Sequence, residues 1–126
     1  MSYAAEMDEF FRSYVETALW STTDNADDSG GEPLDKNHTA DDIAPETKAE
    51  MRKDCENFVK LARTKLQRSG LAAKRAGHDF WLTRNGHGAG FWDEGLGKLG
   101  DALTRDAKSF GSYELYVGDD GKIYGT

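Results

Sequence analysis

The sequence predicts an α+β fold: about three helices packed on one face of a small antiparallel β-sheet, with a C-terminal β-hairpin. Three observations carry this. Apolar residues recur at helical spacing in three separate stretches. Two short strand-like runs near the end are joined by Gly118-Asp119-Asp120-Gly121. The 126 residues, 37% hydrophobic and 11% aromatic, suit one domain with a core of large side chains.

The first helix is expected from Tyr3 to Trp20. Met7, Phe10, Phe11, Tyr14, Val15, Ala18 and Leu19 make a wide apolar face. Glu6, Asp8 and Glu9 sit in its first turns, where the helix dipole favours negative charge. Residues 22–39 lack periodicity and include Asp24, Asp27, Asp28, Gly30, Gly31 and Pro33, which reads as a flexible acidic loop. A short turn over Ala40–Ile43 precedes a second helix from Pro45, where proline suits the first helical position. Met51, Cys55, Phe58, Ala62 and Leu66 step by 4, 3, 4 and 4 along it, and it stops near Ser69-Gly70. Leu71 to Ala76 adds a further turn. His78–Arg84 is rich in aromatics and reads as a strand, with Phe80 and Leu82 on one side and Trp81 and Thr83 on the other. Asn85-Gly86 follows as a turn. A third helix covers Leu96–Phe110, with Leu96, Leu99, Leu103, Ala107 and Phe110 buried. Tyr113–Val117 and Lys122–Tyr124 form the hairpin.

The net charge of −7 conceals an asymmetry. Residues 1–50 hold 13 acidic and 3 basic side chains, a net of −10, while residues 51–126 hold 10 and 13, a net of +3. Residues 52–84 concentrate 9 basic against 3 acidic residues, a stretch that nucleic acid or an acidic partner could contact. The acidic part, through Asp24, Asp27, Asp28, Asp41 and Asp42, could instead mimic nucleic acid. No apolar run is long enough for a membrane span, and the N-terminus lacks a secretory pattern. The single cysteine, Cys55, excludes an internal disulfide and lies on an apolar stripe, where cysteine is an inert small hydrophobe.

Residues 78–93, HDFWLTRNGHGAGFWD, hold the densest chemistry. Six of the 14 glycines fall within residues 86–100. Glycine at every second position over 86–90 leaves backbone amides bare for a close ligand or partner. Arg84, Asn85, His87, Phe91, Trp92 and Asp93 combine charge, hydrogen bonding and stacking surface, the composition of a binding hot spot. Two catalytic alternatives stay open. His78, Asp79, His87 and Asp93 supply nitrogen and oxygen ligands for zinc or manganese in a small hydrolase, although no H-E-x-x-H accompanies them. His87 with Asp93 or Asp79 has the makings of a general base, yet no nucleophile motif stands beside it. As a phosphate loop the stretch is a weak match, because the Gly-Lys-Ser/Thr is missing and no strand–helix crossover precedes it. No cofactor is implied.

The run from Ala76-Gly77-His78 to Trp92-Asp93 resembles a family of short, uncharacterised proteins encoded by tailed bacteriophages. Gly100–Thr104, Ala107, Phe110-Gly111 and Tyr116–Gly121 belong to the same likeness, as do Phe10-Phe11 and Ile43–Thr47. The resemblance implies a phage origin and a place in the host cytoplasm, and carries over no catalytic residues. The expectation is a non-enzymatic accessory protein that binds a host or defence macromolecule through residues 84–93.

Overall fold

A computed structural model describes residues 6–24 and 31–126. Among these lie five α-helices: α1 Met7–Ser21, α2 Pro45–Leu61, α3 Arg63–Ser69, α4 Ala73–Arg84 and α5 Lys98–Lys108. Two small antiparallel sheets accompany them, β1 Thr23–Asp24 with β2 Glu32–Pro33, and β3 Leu115–Val117 with β4 Ile123–Gly125. The α+β class holds. The helix count exceeds the expected three, because the second helix is divided and an expected strand is a helix.

The C-terminal hairpin forms with Leu115 opposite Gly125, Tyr116 opposite Tyr124 and Val117 opposite Ile123. Its β4 edge is capped rather than extended: Ile43 bridges Ile123, and the Ala44 N–H donates to the Ile123 carbonyl at 2.9 Å. Helix α2 begins at Pro45 as read, and its stripe of Met51, Cys55, Phe58, Ala62 and Leu66 is wholly buried across the α2–α3 break at Ala62. Gly70 ends α3 in the left-handed conformation that glycine adopts freely. Residues 22–39 are less featureless than expected. Thr23 and Asp24 pair with Pro33 and Glu32, and Leu34 is buried beside α1. The expected start of α1 at Tyr3, and Asp27 and Asp28 of the acidic reading, lie outside the described residues.

The strand expected at His78–Arg84 is the second half of α4, so it contributes nothing to a sheet, and the C-terminal hairpin stands as a two-stranded sheet. The reason is burial on several sides. Ala73, Ala76, Gly77, Phe80, Trp81 and Arg84 follow a helical period, but Asp79, Leu82 and Thr83 are buried as well. Helix α4 is the central element, packed on α1, on α5 and on the loop after it. A helix segment buried on several sides, as Asp79–Arg84 is, reads as a short apolar run, which sequence periodicity does not separate from a buried strand. The close approach of α1 rests on Gly77, whose missing Cβ leaves room for the Phe10 carbonyl. Phe58 stacks on Phe80 with ring centres 4.1 Å apart, and Phe10, Tyr14, Phe91 and Phe110 surround the pair.

Asn85-Gly86 is a helix stop, not a hairpin turn. The Gly86 N–H donates to the Thr83 carbonyl at 3.2 Å and the His87 N–H to the Leu82 carbonyl at 3.0 Å, with Gly86 at φ +71°. This is the paired bonding that closes many helix C-termini. An Asn-Gly pair serves either purpose, because both need a residue at positive φ.

Candidate functional site

The loop after α4 is held firmly from below. Asn85 accepts the Tyr113 N–H on its Oδ1 at 2.8 Å and donates from Nδ2 to the Trp81 carbonyl at 3.0 Å. The Phe91 N–H donates to Thr83 Oγ1 at 3.2 Å, and the Gly90 N–H donates to Asp93 Oδ1 at 3.0 Å. Gly90 lies so close to Thr83 Oγ1 that no side chain fits there. Phe91 is fully buried against Phe58.

The six residues expected at a binding surface therefore separate. Arg84 and Phe91 are corrected to core residues, and Asn85 to a half-buried structural tie. Arg84 donates from Nε to the Gly111 carbonyl at 2.8 Å and from Nη2 to the Phe110 carbonyl at 3.1 Å. Its Nη1 donates to Tyr14 Oη at 3.0 Å and Asp54 Oδ2 at 2.9 Å. Three rings, Phe80, Phe110 and Tyr113, face its guanidinium. The guanidinium fork has too many partners inside to be offered outside. His87, Trp92 and Asp93 stay at the surface, with Trp92 51% exposed. Gly86 and Gly88 stand open to solvent, whereas Gly90 is buried.

Under this loop the structure gathers a polar cluster that sequence reasoning caught in part. Asp79, fully buried on α4, has Oδ1 3.2 Å from His78 Nδ1 and 3.8 Å from Arg75 Nε. Arg75 grips Glu94 in a two-pronged pair at 2.7 and 3.2 Å. Burial, and then the facing Glu94 carboxylate, push Asp79 up to about 8. Arg75, and then the neighbouring Asp79 carboxyl, hold Glu94 below the usual range. Burial, followed by Arg75, lowers His78. Burial therefore favours the neutral form of Asp79. Asp79 is too deeply enclosed to touch a substrate.

The metal reading on His78, Asp79, His87 and Asp93 is corrected. Among the described residues no three His, Cys, Asp or Glu side chains are arranged to hold an ion. Arg75 supplies the positive charge that the carboxylates need. Arg75 and Glu94 were the missed members. Their signal was the i, i+4 spacing of Arg75 and Asp79, which becomes visible only once 75–79 is read as helix. Beside the cluster Trp20, 46% exposed, packs over His78 with ring centres 6.0 Å apart. A cavity of about 380 Å³ opens there between α1 and α4, lined in part by Trp20, Lys74, Arg75 and His78.

Four of the nine cations in the basic stretch are paired among the described residues: Arg52 with Asp8 and Glu56, Lys65 with Asp106, Arg75 with Glu94 and Arg84 with Asp54. Of the acidic candidates, Asp42 accepts the Thr39 N–H and pairs with His38, while Asp41 is exposed. Cys55 is buried, and burial pushes its thiol well up, as expected of an inert core cysteine. No helix among the described residues is long and apolar enough to cross a membrane. Comparison with protein-family models, curated proteins and solved structures finds no match.

Proposed function

We propose that the chain is a non-enzymatic, phage-encoded accessory protein that binds a host or defence protein through the tip of the loop after α4. His87, Trp92 and Asp93 are its contact residues. One observation carries this reading. The loop is pinned at Asn85, Gly90, Phe91 and Glu94, yet its largest side chain is left half exposed at Trp92. An indole on a rigid mount loses little freedom on binding, which is the economy of an interface hot spot.

The test compares wild type with the double variant His87→Ala, Trp92→Ala as bait in lysate of an infected host. A partner retained by wild type and lost by the variant supports the reading, provided that both proteins show the same circular dichroism. Both side chains are exposed, so stability should change by only about 0.5 kcal/mol or less. A partner held equally by both proteins assigns the interface elsewhere, and a wild type that retains nothing overturns the reading.

A further inference from the structure

We propose that Asp79 and Glu94 hold one proton between them, and that this proton fastens the loop carrying Trp92 to α4; its loss unfastens the loop. The geometry is that of two carboxyls sharing one cation. Arg75 is fully engaged by Glu94 and stands 3.8 Å from Asp79 Oδ1. Asp79 Oδ1 already faces His78, while Oδ2 is buried with no hydrogen bond of ordinary geometry among the described residues. A buried oxygen left in that state is costly. A proton on Oδ2 turns it into a donor toward the Glu94 carboxylate and removes the repulsion between two like charges.

The groups around Asp79 agree. Helix α4 supplies Arg75 and His78, and the loop supplies Asp93 and Glu94. Helix α1 adds the Trp20 ring against His78, and α5 approaches through Gly100, packed on the Phe91 carbonyl. Burial and the neighbouring Glu94 carboxylate both favour the protonated form of Asp79. When the proton leaves, two enclosed carboxylates compete for Arg75. Glu94 is the one able to withdraw, because it sits on a loop and Asp79 sits inside a helix. The segment from Gly90 to Glu94 then loosens and Trp92 loses its rigid mount. The consequence for binding rests on the function proposed above; the latch itself does not.

The experiment uses the isolated full chain. Carboxyl carbon NMR on Asp- and Glu-labelled protein follows both groups directly. Asp79 is expected to titrate far above ordinary aspartates, and Glu94 below ordinary glutamates. Amide hydrogen exchange is expected to show protection of Phe91–Glu94 falling about tenfold or more beyond the intrinsic pH effect between about pH 6 and pH 9. In Asp79→Asn, whose amide donates to Glu94 at every pH, that fall disappears. The proposal is overturned by an ordinary Asp79 titration, by protection that does not respond to pH, or by the same fall in Asp79→Asn. Should that variant not fold, the wild-type titration and exchange decide. No partner is present, so failure here is separate from failure of the binding reading.

Discussion

Arg84 stands where the core would otherwise hold an apolar side chain, 6% exposed and surrounded by three aromatic rings. Its fork joins α4 to α1 through Tyr14, to α2 through Asp54, and to the segment after α5 through two carbonyls. A lysine carries the charge without the planar fork and meets fewer of these acceptors. Arg84→Lys should therefore destabilise the fold by about 2–4 kcal/mol, measured by chemical denaturation, because it leaves buried carbonyls and a hydroxyl unpaired. Asp79 calls for the opposite sign of argument. Its folded titration is raised to about 8, above the ordinary aspartate value of about 4 in the unfolded chain. Its contribution to stability is thus complete below about pH 4 and is lost as pH rises through about 8. The stability of Asp79→Asn relative to wild type should increase steadily from about pH 4 to pH 9. A flat difference over that range would contradict the proton on Asp79.

Helix α4 sets the register of everything near it. Its one interior glycine, Gly77, faces the Phe10 carbonyl with no space for a methyl group. Alanine is ordinarily the better helix former by about 1 kcal/mol. Here Gly77→Ala should reverse that preference and cost about 3 kcal/mol, since the obstacle is backbone of a packed helix and not a movable side chain. Thermal unfolding followed by circular dichroism measures it, and a variant as stable as wild type would show that the α1–α4 contact relaxes freely. The end of α4 matters as much as its face. Gly86 and His87 bond back to Thr83 and Leu82, so the loop leaves the helix in one fixed direction. The same loop returns through Phe91 and Glu94 to the helix it left.

Across the whole molecule, one core cluster runs from Met7 in α1 to Ile123 in β4, so the helices and the hairpin stand or fall together. Part of the charge asymmetry of the chain is met by pairs within the fold. Acidic Asp8 of α1 meets Arg52 of α2, and Asp106 of α5 meets Lys65 of α3. A run of cations in sequence therefore does not become an equal patch of positive surface, and most of these exposed pairs add little to stability.

The chain's own order of residues determined the elements whose patterns are one-sided. The stripes of α1 and α2, Pro45 at a helix start, Gly70 at a helix end and the C-terminal hairpin were legible, because an amphipathic period and a stop signal are local. Of the stripe expected in α5, Leu103 and Ala107 are buried while Leu96, Leu99 and Phe110 are half-buried, and the helix is the shorter Lys98–Lys108. Tertiary structure alone decided α4, which is enclosed on several sides and so carries no clean period. It also decided the site. Arg84 and Phe91 look like contact residues by type and are core by position, while Arg75 and Glu94, 19 residues apart, become partners only when the loop folds back. Residue type sets what a side chain is able to do. Which neighbours desolvate it or neutralise it is set by contacts distant in sequence, and these determine whether the ability is spent inside the protein or left for a partner.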